Sequence, residues 1–183
     1  MEMRSNDELI RILGSIRHDW LNVLQLIKGN LAIGNQERAE AVLEEAVEQT
    51  TNESRLCNIG MPKTALVLLE QKWHQSAYEI AYEVDGPLLN LAKYDDTFST
   101  CFARFFSLLS EWPQLEGPSS VFVTYTFFDQ NCLIELDYQG HIYRNDGISN
   151  CFSEMPPSVV VDVTREGQAG YTVTFLLDAT ASN

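Results

Sequence analysis

SIRHDWLNVLQLIKGNL, residues 15–31, decides how this chain folds: it is proline-free, periodic and long enough for several helical turns. At about 100° per residue, its apolar positions Ile16, Trp20, Val23, Ile27 and Leu31 form one stripe, continued upstream by Leu13 and Leu9. Threes and fours alternate along it, which predicts a bundle helix. His18 falls about half a turn from the centre of the stripe, among Asp7, Arg11, Ser15, Asn22, Gln25 and Gly29. Its imidazole is therefore expected in solvent. Ile12, Leu21, Leu24 and Leu26 widen the apolar face beyond what one antiparallel neighbour covers.

Working outward, Ser5 followed by Glu8 forms a capping-box signature for the start of this helix, and Gly34 is placed to stop it. Asn35 then suits the N-cap of a second helix, running through AEAVLEEAVEQTTNESRLC at 39–57 and ending before Gly60, Met61 and Pro62. So short a link predicts an antiparallel hairpin. The second helix carries its own stripe in Ala39, Val42, Leu43, Ala46 and Val47, and a lone hairpin cannot bury both surfaces. Two copies forming a four-helix bundle is the economical arrangement. Residues 1–60 are thus expected to be a helical hairpin domain for dimerisation.

Residues 61–183 have a different texture. TALVLLEQKWHQSA (64–77) predicts a short helix, YEIAYEV (78–84) a half-buried strand, and TFSTCFARFFSLLSEW (97–112), capped by Asp95 or Asp96, another helix. VFVTYTFF (121–128) and CLIELDY (132–138) form a predicted hairpin through Asp129, Gln130 and Asn131. SVVVDVTR (158–165) and YTVTFLLD (171–178) form another around Gly167 and Gly170, while 140–157 reads as irregular. The expected class is α+β, with helices on one face of a mixed sheet.

The chain has 183 residues, 45% hydrophobic, with 26 acidic against 12 basic side chains and a net charge of −14. That balance argues against a nucleic-acid partner held through phosphates. No long apolar run marks a membrane span, and the N-terminal MEMRSNDELI lacks a signal peptide's basic start and apolar stretch, so a cytoplasmic location is expected. Cys57, Cys101, Cys132 and Cys151 are scattered without metal-ligand spacing and read as reduced, mostly buried thiols. The acidity is uneven: up to Asn30, Arg4, Arg11, Arg17 and Lys28 balance Glu2, Asp7, Glu8 and Asp19.

A solvent-facing imidazole on a rigid helix can act as a nucleophile toward an activated phosphoryl group. Asp19 can hold the other ring nitrogen, the amides of Asn22 and Gln25 leave the imidazole without an ion-pair partner, and Arg17 can shield a phosphoryl group. Gly14 and Gly29, each costing about 1 kcal/mol inside a helix, lower the relief near that face, where another protein can approach. A metal site of the HD type is disfavoured because His74 and His141 lie in the second domain without matching spacing.

The histidine, the acid after it and the asparagine four positions on resemble the phosphoacceptor helix of two-component histidine kinases. With Trp20 after the His-Asp pair and LQLIKGNL closing the helix, the stretch more closely resembles the sporulation initiation phosphotransferase B family. That resemblance implies a phosphorelay phosphotransferase. His18 would take a phosphoryl group from the aspartate of one response regulator and pass it to a second regulator controlling sporulation, with Asp19, Asn22 and Arg17 beside it. Arg11, Ser15 and Gln25 become candidate partner contacts on the same helix. It also implies a homodimer whose histidines lie on the sides of the bundle, and Mg²⁺ supplied by the regulator's acidic pocket.

The alternatives are an ATP-dependent sensor kinase and a non-catalytic scaffold that binds a regulator. A kinase needs an asparagine-bearing helix for Mg²⁺, but FARFFSLLSEW at 102–112 has none. It needs an Asp-x-Gly-x-Gly turn, of which Leu136, Asp137, Tyr138, Gln139 and Gly140 keep one acid and one glycine. Before the last strand only Gly167 and Gly170 remain of a glycine-rich lid. The second domain is therefore expected to resemble a degenerate histidine-kinase ATP-binding domain, with no ATP and no cofactor bound by this chain.

Overall fold

A computed structural model describes residues 6–73, 78–111, 119–140, 146–166 and 170–179. They fall into two compact units, residues 1–51 and 52–183. The first contains α1 (Asn6–Ala32) and most of α2 (Gln36–Cys57). Gly34, at φ +77°, adopts the left-handed conformation that ends helices. Its N–H donates to the Leu31 carbonyl at 3.1 Å and that of Asn35 to the Asn30 carbonyl at 2.9 Å, the two bonds of a Schellman motif. Asn35 Oδ1 accepts the Arg38 N–H at 3.2 Å and so caps α2, as expected from sequence. Ser5 and the Glu8 side chain lie outside the described residues.

The apolar stripe of α1 is not buried as one surface. Ile16, Val23 and Ile27 are half-buried and Ile12 is buried on one side of α1, as Ala39, Val42 and Ala46 are on α2. Leu13, Trp20 and Leu31 instead remain 52, 45 and 56% exposed, with Leu24 beside them at 56% and Leu43 and Val47 exposed on α2. The predicted seam therefore splits: one half is covered within the chain and the other is uncovered.

The second unit is a helical layer on a five-stranded sheet. Its helices are α3 (Pro62–Trp73), α4 (Asp95–Glu111), preceded by a 3₁₀ turn at Ala92–Tyr94, and α5 (Asp146–Cys151). Its strands are β1 (Glu79–Asp85), β2 (Ser120–Phe128), β3 (Asn131–Gln139), β4 (Val159–Glu166) and β5 (Gly170–Asp178), in the order β1-β2-β3-β5-β4. β1 and β2 are parallel and the other pairs antiparallel, so the sheet is mixed. The two hairpin pairs and all five strands match the sequence reading. The 140–157 segment does not: α5 forms within it and buries Ile148, Cys151 and Phe152. Six residues are too few to show a helical period, and Gly147 and Asn150 mask it further.

The core lies between the sheet and α4. Phe98, Phe102, Phe105 and Phe106 line one face of α4 and pack on one another, and the first three also meet Phe152 or Phe175, edge-on or tilted, with centroids 5.2 to 6.5 Å apart. Each such ring contributes about 1.5–3 kcal/mol by burial. Asp95 opens α4 but caps α3: its carboxylate accepts the N–H groups of Lys63 (3.0 Å) and Thr64 (2.8 Å) and the Thr64 hydroxyl (2.9 Å). Pro62 needs no such acceptor at the first helical position.

The last turns of α2 belong to this unit. Val84 of β1 donates its N–H to Asn52 Oδ1 at 3.1 Å, and Arg55 Nε donates to the Val84 carbonyl at 2.7 Å while its Nη2 reaches the Gly86 carbonyl. Side chains of α2 thus satisfy the free edge of β1. Leu56, Ile59 and Met61 are fully buried in the second unit's core, so the compact unit starts at residue 52 inside α2, nine residues before the start at 61 expected from sequence. Among the described residues no helix is long and apolar enough to cross a membrane.

Candidate phosphoacceptor site

The middle of α1 presents His18 to solvent with its side chain 72% exposed. Both close neighbours are at one ring nitrogen. Asn22 Nδ2 lies 3.2 Å from His18 Nδ1, and Asp19 Oδ1 lies 3.5 Å from the same atom. Helical geometry explains this, since Asn22 is one turn on and Asp19 is the next residue. An Nδ1–H would donate to Asp19, and to Asn22 Oδ1 when that amide is turned over. That tautomer leaves the lone pair on Nε2, the nitrogen farther from both neighbours. A histidine so held offers one nucleophilic nitrogen on a rigid support.

The remaining predicted residues are less concentrated. Arg17 turns back along the helix, its Nε donating to the Leu13 carbonyl at 3.3 Å, and lies about a quarter turn or more from His18. Arg11 and Gln25 are exposed and Ser15 half-buried, all on the His18 face of the helix. Gly14 and Gly29 have nothing within 4 Å of an added Cβ, so no packing inside the chain requires either. Exposed Leu26 and Ile33 also lie within a quarter turn of His18, whereas periodicity places Leu26 only as a widening of the apolar face.

In the second unit, Asp137 alternates with buried Leu136 and Tyr138 and so lies on the sheet face away from the helices. It accepts Gln139 Nε2 at 3.0 Å and the Thr172 hydroxyl at 3.4 Å. A Cβ at Gly140 would strike the Tyr138 hydroxyl, at 2.5 Å, and one at Gly170 would lie 3.0 Å from the Tyr138 carbonyl, so local packing accounts for both glycines. Gly167, His74 and His141 lie outside the described residues. Among the described residues no group of three or more His, Cys, Asp or Glu side chains is placed to hold a metal ion. Cys101, Cys132 and Cys151 are buried and Cys57 exposed; burial pushes the Cys132 thiol up to about 12.

Residues 1–59 match the family described as sensor kinase SpoOB-type, alpha-helical domain, and residues 60–174 match sporulation initiation phospho-transferase B, C-terminal. The Bacillus subtilis (strain 168) sporulation initiation phosphotransferase B is 33% identical over 136 residues, covering 73% of this chain and 71% of that protein. The chain belongs to the sporulation initiation phosphotransferase B family. Solved histidine kinases align at lower identity. The Erythrobacter litoralis EL346 blue-light activated histidine kinase is 14% identical with a TM-score of 0.47, covering 98% of this chain and 62% of that one. The Acinetobacter baumannii histidine kinase AdeS is 9% identical with a TM-score of 0.44, covering 90% and 98%. For this member of the phosphotransferase B family, the helical and α/β parts that the sequence resemblance implied are both present.

Proposed function

We propose that this protein is a phosphorelay phosphotransferase in which His18 carries the phosphoryl group between two response regulators, the second controlling sporulation. The observation that carries this reading is the exposed His18 imidazole, with both close neighbours at Nδ1. In the first step Nε2 attacks the phosphorus of a regulator's aspartyl phosphate. The N–P bond forms as the acyl P–O bond breaks, and the regulator's carboxylate leaves with the electron pair. Positive charge develops on the ring, and Asp19 at Nδ1–H stabilises it. The second regulator's carboxylate then attacks the same phosphorus and releases neutral imidazole. Both transfers depend mainly on alignment and charge placement. Mg²⁺ belongs to the regulator in this reading, since among the described residues no group of three or more His, Cys, Asp or Glu side chains is placed to hold a metal ion.

The uncovered stripe of Leu13, Trp20, Leu24 and Leu31, with Leu43 and Val47, supports a homodimer closing as a four-helix bundle. His18 lies well to the side of that stripe, which leaves it accessible in the dimer. The second domain is proposed to take up no ATP. Supporting this, the acid left from the kinase turn faces away from the helical layer, and the phenylalanines of α4, Phe152 and Phe175 fill the space between the layers. A cytoplasmic location fits these partners.

The test is incubation with a phosphorylated receiver domain. The expected product is an acid-labile, base-stable phosphoryl group on this chain, absent from His18→Ala, which stays dimeric. Label on the His18→Ala protein overturns the assignment, and autophosphorylation from ATP and Mg²⁺ alone restores the kinase reading.

A further inference from the structure

Within the second unit the described helices cover one face of the sheet, and the other face has a pattern that ordinary solvation does not require. An antiparallel sheet's solvent face is normally polar. Here the register aligns Leu133 of β3, Leu176 of β5 and Val160 of β4 in one row across three adjacent strands. Val160 is 65% and Leu176 40% exposed, and Phe128, 41% exposed, lies diagonally beside Leu133 at the end of the β2–β3 hairpin. The neighbouring row, two residues along each strand, carries Glu83 on β1, Glu135 on β3 and Asp162 on β4.

Among the described residues of the second unit no lysine or arginine shares this face. Lys63, Lys72, Lys93 and Arg104 belong to the helical layer, Arg55 is bound to the edge of β1, and Arg165 falls in the alternate set with Val161 and Val163. The face therefore offers apolar contact beside uncompensated negative charge. A membrane surface or a nucleic acid, both rich in phosphate, would be repelled.

The spacing adds a shape. Strands lie about 4.8 Å apart, so the carboxylate-bearing positions, each two strands from the next, recur about every 9.6 Å. Seven residues of α-helix rise about 10.5 Å, close to that repeat. The two rows are about 6.7 Å apart along the strands, within the width of one helix, about 10 Å. We propose that this face binds an amphipathic basic helix of a partner protein. The helix would lie across the strands with its apolar stripe on Leu133, Leu176 and Val160 and its bases, seven residues apart, over Glu83, Glu135 and Asp162.

The test uses the full chain and a fluorescent synthetic 21-residue helix, about three heptads long, with lysine at every seventh position and leucines on the adjoining stripe. Anisotropy titration is expected to give saturable binding that weakens with salt and falls at least about tenfold in Glu135→Lys/Asp162→Lys. A peptide with glutamate replacing lysine is expected to recover binding to that double variant. Unchanged melting confirms that both proteins are folded. The proposal is overturned by non-saturable binding, by affinity unaffected by the double variant, by failure of the charge-swapped peptide, or by an equal loss in Glu44→Lys/Glu48→Lys on α2. Sedimentation of the protein alone tests a second copy as occupant: an assembly larger than a dimer that is lost in Val160→Lys assigns the face to self-association and also overturns the proposal.

Discussion

His18 has its chemistry fixed by two short side chains. Asp19 and Asn22 meet only Nδ1, so their contribution is to the tautomer and to the charge that develops on the ring. Asp19→Asn is expected to slow phosphoryl transfer by about 100-fold with no change in melting temperature, in stopped-flow assays with a phosphorylated receiver. Wild-type rates in that variant would remove Asp19 from the mechanism. The cysteines divide as sharply: a thiol reagent at pH 8 is expected to modify one thiol of the native protein, Cys57, and all four after denaturation. Labelling is slow even at Cys57, because partial burial and the neighbouring Glu53 carboxylate raise its pKa. Mass mapping of the labelled peptide checks the site.

At the scale of elements, the turn of α2 that seals β1 is the least expected feature. Arg55→Ala leaves two carbonyls of that edge without their charged donor and is expected to destabilise the second unit by about 1–3 kcal/mol in urea unfolding. A loss within error would mean that solvent serves that edge equally well. The hairpin turn, both β-hairpins and the main helices were legible because each depends on local signals: Gly34 and Asn35, period-two alternation, or a phenylalanine face. What was not legible depends on distant partners. Asp95 could be assigned to a helix start, but nothing nearby shows that it caps α3, 31 residues upstream. Likewise the exposure of His18 follows from a wheel, whereas the turn of Arg17 toward Leu13 is a choice among side-chain rotamers that no periodicity encodes.

For the molecule as a whole, the split of the α1 stripe changes which residues are open to hold the proposed dimer together. Sequence periodicity placed Trp20 and Val23 in one seam. Val23 is half-buried within the chain, whereas Leu24 and Trp20 are on the uncovered side. Leu24→Lys is therefore expected to yield monomers at micromolar concentration by sedimentation velocity while retaining helical circular dichroism, because the charge enters only the surface between copies. A stable Leu24→Lys dimer would place the interface elsewhere. The unit boundary inside α2 matters as well: a fragment beginning at residue 61 lacks Leu56, Ile59 and the Arg55 seal, so the α/β part is complete only from residue 52.

The carboxylate of Asp95 has one more consequence, for the order in which the chain assembles. The first free amides of α3, at Lys63 and Thr64, have their acceptor at the start of α4. Until α4 arrives, α3 begins uncapped, and a helix of 12 residues is marginal in water. The two helices are thereby made to appear together during folding and to fray together afterwards, as a single cooperative unit.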